Sequence, residues 1–436
     1  MSSAIHEGAL DGRLAQGSPD RGWREFDQLF HDAIGRGLLS GGVALVWHKG
    51  AVVHATAMGW SDIARDDPMR LDAIFRLYSM TKPVMAIAMM LLWDEGKWSP
   101  SDPLAKYLPE LADLQVMTGV DGAGTPIFAP PSAPPTIEHL MTHQTGFSYG
   151  FGDDAVDRAF RAAGVPVIPC DLSAEDYLRR LAQVPLAFEP GTGWRYGVNM
   201  DVQGIIVERL SGMNLRDFMR TRIFEPLGMI DTDFLVPAEK RGRLATLYTI
   251  EGDALVELTA ETPSFAYENM AKLAPRDVVL AYDRVPKLSS GGGGLVSTAA
   301  DYLRIGRMLL GRGEIDGLRL LSPEAVAMMT RSHTPHLLTG RFGTPPHELR
   351  PGYEFAYNGV TITDPVAAGV SLGQGTYFWD GAAGCWFWVD PANETVLVAL
   401  VQLLTDAEKL SLQFRSRDIV ANIIANSSNN QNLPAA

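Results

Sequence analysis

The stretch "FRLYSMTKPVMAIAMMLLWDEGK", residues 75–97, joins a reactive-looking quartet to a greasy run. Ser79 is followed three residues later by Lys82, and Val84 to Trp93 are ten apolar residues in a row. Such a run suits a buried helix, and it is about half of the ~20 residues a membrane span needs. Pro83 fits a helix only in the first turn, where its missing N–H is not needed. Ser79 then lies at the helix N-terminus, with Lys82 on the same face. Free N–H groups and the positive end of the helix dipole stabilise an alkoxide or an oxyanion there. A lysine desolvated by apolar neighbours has a lowered pKa and serves as proton acceptor or fixed charge. The plainer reading is a helix cap followed by a lysine reaching for water. Against it, Lys82 alone of the eight lysines has a serine at −3, and an unpaired ammonium among apolar residues is costly.

A second serine competes. Gly146-Phe147-Ser148-Tyr149-Gly150 matches G-x-S-x-G, a pattern that works when a buried strand feeds a sharp turn into a helix. Here "PTIEHLMTHQT" precedes it. That segment reads as a helix capped by Thr136, with Ile137, Leu140 and Met141 on one face. No apolar strand feeds the turn, so Ser148 reads as a decoy in a loop of small residues.

Composition bounds the rest. The 436 residues suffice for a large core and more than one lobe. A net charge of −14 argues against nucleic acid as a partner. Cys170 and Cys385, the only cysteines, cannot build a disulfide framework or a Cys/His metal site. The N-terminal "MSSAIHEGALDGRLAQGSPD" has no apolar h-region, so a cytoplasmic protein is expected, with no membrane partner.

Trp23, Phe26, Phe30 and Ile34 have helical spacing, and "VALVWHKGAVVHATAMGW" reads as a hairpin turning near Lys49-Gly50. Near the other end, "YEFAYNGV", "GTYFWDG", "GCWFWVD" and "TVLVALVQ" read as short antiparallel strands, with "DPANE" as a turn. Leu412, Ile419, Val420 and Ile423 mark a last helix. Between the ends lie helical patterns such as "AEDYLRRLAQV" and "MDVQGIIVERLSG". The expectation is an α+β fold. An N-terminal arm, 1–20, precedes a discontinuous α/β lobe of 21–100 and 290–425. A mostly helical lobe, 101–289, is inserted in it, and 426–436 form a disordered tail. A cleft between such lobes is a natural site.

Several segments together resemble the serine β-lactamase and penicillin-binding-protein-like group, in particular its class C-like branch and the family VIII carboxylesterases. "YSMTKP" resembles the S-x-x-K motif, and "TIEHLMTHQTGF", "FEPGTGWRYGVNMDVQGIIVERLSG", "GGGGLVSTAADYLRIGRMLL" and "WDGAAGCWFWVDPANETVLVALVQ" follow in the group's order. The resemblance implies a β-lactamase/transpeptidase-like fold: an antiparallel sheet flanked by helices plus an all-helical lobe. It implies Ser79 as acylated nucleophile, Lys82 as its assistant, and Tyr196 as the base that later protonates the leaving group. It implies an oxyanion hole from the N–H groups of Ser79 and Ala382. Tyr149, Trp379, Asp380 and Gly381 would contact substrate.

Two departures bear on chemistry. The third motif, K-T-G in the lactamases, is Trp379-Asp380-Gly381 here, and after Lys287 the only lysine is Lys409. Without that cation, neutral apolar acyl or alkoxy groups are favoured over a β-lactam or peptide carboxylate. Asp380 reads as a solvated strand residue or as a contact for a polar leaving group. In the tyrosine motif, Y-x-N needs asparagine at 198, where Val198 stands before Asn199. His139 and His143, at i and i+4, read as packing or hydrogen-bonding residues, since no carboxylate-bearing ligand pattern accompanies them. "GGGG" at 291–294 lacks phosphate-loop spacing and reads as a tight reversal.

The sequence therefore leads to a serine carboxylesterase acting on a small-molecule ester, with no cofactor or metal. The rivals are a β-lactamase or D-amino-acid amidase, an acyltransferase, and a non-catalytic binding protein on the same scaffold. Oligomeric state is not legible.

Overall fold

Alternation along the strands divides the apolar residues between two faces of one sheet. In Thr395–Val401, Val396, Val398 and Leu400 join one buried cluster, and Leu397, Ala399 and Val401 join the other. Phe387 and Val389 part from Trp386 and Trp388 in the same way, as do Val43 and Leu45 from Ala44 and Val46. Because both faces are covered, these strands read as unbroken apolar runs.

The computed structural model describes residues 21–123, 125–166, 170–259, 282–334, 351–404 and 411–430. We label the sheet strands β1 (Gly41–His48), β2 (Ala51–Asp62), β3 (Asp67–Pro68), β4 (Tyr353–Phe355), β5 (Val360–Ile362), β6 (Tyr377–Asp380), β7 (Trp386–Asp390) and β8 (Thr395–Val401). The main helices are α1 (Arg21–Gly35), α2 (Thr81–Asp94), α3 (Asn199–Ser211), α4 (Ala299–Leu310) and α5 (Leu412–Asn430). The antiparallel sheet has the order β4-β5-β6-β7-β8-β1-β2-β3. Pairing of β1 with β8, from Gly42 opposite Val401 to His48 opposite Thr395, makes one lobe from both ends of the chain. The β1–β2 hairpin turns where expected, with Lys49 at φ 43° and Gly50 at φ 92°, the positive pair a tight hairpin requires.

Helices α1 and α5 cover one face through Trp23, Phe26, Phe30, Val420 and Ile423. On the other face α4 lies close enough that a Cβ at Gly306 would meet Val396 Cγ1 at 2.4 Å. Behind it α2 is buried all round from Thr81 to Leu92, as expected for a helix apolar on every side. It packs between α3 and the helix Pro323–Thr330.

The structure departs from the sequence reading in three places. "YEFAYNGV" is two strands, β4 and β5, because Asn358 at φ 55° reverses the chain. The inserted region also holds two hairpins, and the one formed by Tyr248–Glu251 and Ala254–Glu257 docks on the sheet lobe well before residue 290. There the Tyr248 N–H donates to the Gln402 carbonyl at 3.0 Å and the Leu404 N–H to that of Tyr248 at 2.8 Å. Finally, α5 runs through Asn430, so 426–430 are helical; the rest of the expected tail and the arm 1–20 lie outside the described residues. Among the described residues no helix is long and apolar enough to cross a membrane.

Phe30, fully buried, has its ring 5.3 Å from that of Phe26 and 6.1 Å from that of Trp386. Phe30→Ala is expected to cost ~3–5 kcal/mol through lost burial and the cavity left behind, read as a lower midpoint in equilibrium chemical unfolding.

Candidate active site

A short strand pair delivers the nucleophile candidate. Phe75 and Arg76 pair with Ser297 and Val296, and the Leu77 N–H donates to the Leu295 carbonyl at 2.9 Å. The chain then bends through Tyr78 at φ 46°, a left-handed conformation that is uncommon for a bulky side chain. Ser79 sits in the 3₁₀ turn Tyr78–Met80, directly ahead of α2 rather than in it. The turn is fixed from behind: Tyr302 Oη donates to the Met80 carbonyl at 2.8 Å, and the Leu295 N–H to Thr81 Oγ1 at 3.1 Å. Ser79 is half-buried.

Two side chains converge on Ser79 Oγ. Lys82 Nζ lies 3.0 Å away and Tyr196 Oη 2.7 Å away. Lys82 is 1% exposed, and its Nζ also donates to the Gly292 carbonyl at 2.6 Å. Burial pushes the Lys82 ammonium down to about 7, while the carboxylates of Asp201 and Asp380 oppose the drop. Burial drives the Tyr196 phenol upward, and polar contacts with Ser79 and the Trp379 side chain pull the other way. Near neutral pH the site thus holds a lysine able to accept a proton beside a phenol that keeps its own.

Tyr196 is clamped among aromatic rings. His143 is 4.7 Å away centroid to centroid, Tyr149 5.3 Å, Trp379 6.0 Å and Trp194 6.2 Å. Trp379 is 2% exposed and meets Phe355 edge to face at 5.4 Å, so it forms the wall behind Tyr196. Asp380, half-buried next along the strand, acts electrostatically on both Lys82 and Tyr196. Gly381 is required by close approach: a Cβ there would lie 2.2 Å from the Leu77 carbonyl oxygen. That contact sets the β6–β7 turn against the Ser79 turn. Ala382 is exposed at its tip, and no backbone carbonyl of the described residues accepts its N–H.

Ser148 lies in a different environment. It is 2% exposed, donates to Asp157 Oδ1, accepts the Gly150 N–H at 2.8 Å, and has Arg195 Nη2 at 3.4 Å. These partners fix the loop, and neither a lysine nor a tyrosine is among them. A Cβ at Gly197 would lie 2.3 Å from the Phe147 carbonyl oxygen, so the "GFSYG" loop braces the "WRYG" loop that carries Tyr196.

Asn199 bonds to His143 and Thr145 rather than to Ser79. Its Nδ2 is 2.7 Å from His143 Nδ1, and its Oδ1 accepts from Thr145 Oγ1 at 2.6 Å. His139 and His143 are hydrogen-bonding residues, as expected. The Thr136 N–H donates to His139 Nδ1 at 3.3 Å in a capping box, and His143 Nδ1 also receives the Gly197 N–H at 3.3 Å. Burial holds the His143 imidazole well below its ordinary value, and the Lys82 charge adds to the effect. No group of three or more His, Cys, Asp or Glu among the described residues is arranged to hold a metal. Both cysteines are free and buried.

Sequence reasoning missed Asp201, Gly292 and His143 as parts of this centre. The signal for the first two was present in "VNMD", five residues beyond Tyr196, and in the glycine run. A carboxylate in the first turn of a helix with an apolar, buried body calls for a partner, since aspartate is seldom buried unpaired.

A family model described as Beta-lactamase matches residues 26–421. The chain belongs to the beta-lactamase family. It is 36% identical over 377 residues to Protein Rv1367c of Mycobacterium tuberculosis, covering 85% of this chain and 87% of that one. It is 31% identical over 404 residues to Esterase EstB of Burkholderia gladioli, covering 90% and 94%. Among solved structures it is similar to EstCE1, titled a hydrolase with promiscuous acyltransferase activity, at a TM-score of 0.75 and 26% identity, covering 96% and 100%. The β-lactamase/transpeptidase-like fold expected from the sequence is the fold observed, and the chain is an enzyme of this serine hydrolase family, with esterase relatives.

Gly381→Ala is expected to push the β6–β7 turn, with the Ala382 N–H, away from the Ser79 turn and to slow Ser79 labelling by a fluorophosphonate at least ~10-fold. Rates of labelling on folded protein measure it.

Proposed function

We propose that this protein is a serine carboxylesterase that works through an acyl-enzyme on Ser79. The observation that carries the reading is the placement of Lys82 Nζ and Tyr196 Oη at 3.0 and 2.7 Å from one accessible serine oxygen. Lys82, lowered to about 7, takes the Ser79 proton as Oγ attacks the ester carbonyl carbon. The N–H groups of Ser79 and Ala382 receive the carbonyl oxygen as it gains charge. Collapse breaks the C–O bond to the alcohol, which leaves with the Tyr196 proton while Lys82 reprotonates the phenol. Water then attacks the acyl carbon and gives a proton to the Lys82–Tyr196 pair; collapse breaks the acyl–Oγ bond, Ser79 Oγ takes that proton back from the pair, and the acid departs.

The ester preference rests on the third motif. Trp379 occupies the position where the resemblance puts a lysine in the lactamases, and aromatic rings line the cleft around Tyr196. A neutral apolar acyl or alkoxy group fits such walls better than a carboxylate-bearing lactam. The same acyl-enzyme passes its acyl group to an alcohol as readily as chemistry allows, and the likeness to EstCE1 supports transfer as a second outcome. The esterase relative supports hydrolysis as the main one.

Ser79→Ala is expected to lower hydrolysis of short-chain p-nitrophenyl esters by roughly 10³-fold or more, while Ser148→Ala keeps most of it; the reverse pattern would refute the assignment. The rate of Ser79 acylation should rise with pH through about 7, as Lys82 becomes neutral. It should lose that acidic limb in Lys82→Ala, whose remaining rate is low at every pH. A pH–rate profile of kcat/KM checks both. Nitrocefin turned over faster than these esters would favour the lactamase rival.

A further inference from the structure

Directly behind the Lys82 ammonium lies a carboxylate with no part in the steps above. Asp201 is in the first turn of α3 and 5% exposed. Its Oδ1 accepts Ser290 Oγ at 2.5 Å and the Gly292 N–H at 3.2 Å. Gly292 in turn offers its carbonyl to Lys82 Nζ at 2.6 Å. Asp201 Oδ2 is buried and has no hydrogen-bond partner among the described residues. A Cβ on residue 292 would stand 2.9 Å from that oxygen and 2.9 Å from Tyr149 Oη, so only glycine lets the three elements close up.

We propose that Asp201 is a positioning residue for the Ser79 chemistry: it anchors the Gly292 turn that holds Lys82 against the serine, and its charge sets how strongly Lys82 binds its proton. The inference rests on the esterase reading only in taking Lys82 as the base for Ser79. A carboxylate is costly to bury without full hydrogen bonding, and a fold that merely needed a turn at 290–293 would be served by an amide. What an amide cannot supply is a negative charge beside the lysine. Asp201 opposes the effect of burial on Lys82, and burial in turn pushes the Asp201 carboxyl upward, with Ser290 and Lys82 holding it down. The other groups facing the pair are Asp380, Tyr196 and His143 around Lys82, and Tyr149, Tyr177 and Cys170 around Asp201. The phenols and the Cys170 thiol are held above their ordinary ranges and His143 below its own. Asp380 then remains as the other carboxylate acting on Lys82.

Asp201→Asn keeps an oxygen for Ser290 and Gly292 and removes the charge. Without it Lys82 loses its proton more easily, so the acidic limb of Ser79 labelling by a fluorophosphonate moves down by ~1 pH unit. The plateau rate falls several-fold, because the neutral amine is a weaker base. Asp201→Ser, smaller and also neutral, tests the same charge should asparagine impair folding, and the limb moves the same way. Asp201→Glu keeps the charge and is expected to keep the limb near the wild-type position. A limb unmoved in folded Asp201→Asn or Asp201→Ser, while wild type labels on Ser79, overturns the role of Asp201 and leaves the esterase reading intact. Failure of wild type to label on Ser79 instead strikes the esterase reading itself.

Discussion

The Lys82 ammonium, removed from water and held by Ser79 Oγ and the Gly292 carbonyl, is the constraint around which this fold is arranged. Burying such a group without partners costs several kcal/mol, so each element that touches it is fixed in return. The helix α2 carries it, the turn at 290–293 receives it, α3 supplies the carboxylate behind that turn, and the loop before α3 brings Tyr196 over it at 4.6 Å from the ring centroid. Asn358, in the β4–β5 turn, donates to the Lys82 carbonyl at 3.1 Å and pairs with Gln203 of α3. The strained Tyr78 backbone is then a local cost offset by many surrounding contacts.

Glycine positions show how tight the closure is. Gly292, Gly381 and Gly197 each lie where a Cβ would meet another segment at 2.9 Å or less. They join, respectively, the Lys82 ligand turn to Asp201, the β6–β7 turn to the Ser79 turn, and the tyrosine loop to the Ser148 loop. The site is thus assembled from backbone contacts between segments far apart in sequence, with side chains projected into the space they leave.

This explains what the sequence could and could not reveal. The sheet lobe was legible because its information is local: alternating or continuous apolar runs, a Lys-Gly turn, and a Ser-x-x-Lys quartet at the start of a greasy helix. Lys82 and Ser79 were legible for the same reason, lying one turn apart. Tyr196 was reached only through resemblance, since nothing in "WRYGVN" announces that its hydroxyl ends beside residue 79. The role of "GGGG" was read correctly as a reversal but incompletely, because a backbone carbonyl acting as a ligand leaves no side-chain signature.

The tryptophan at 379 was read as a surface for substrate, and its burial refines that idea. At 2% exposure it packs behind Tyr196, together with Phe355 and His143. A lysine at that position would place a second cation beside the phenol and beside Lys82. A second cation in a desolvated site lowers its neighbours' affinity for protons, so the phenol would ionise more readily and the ammonium would be neutralised more readily. Replacing that cation with an indole keeps the phenol protonated and leaves Asp201 and Asp380 as the charges that act on Lys82. On this argument the change in the third motif does more than remove a carboxylate-binding group. It shifts the proton balance of the whole centre toward groups that hold their protons: the phenol stays neutral, and burial alone is left to loosen the proton of Lys82 against the two carboxylates.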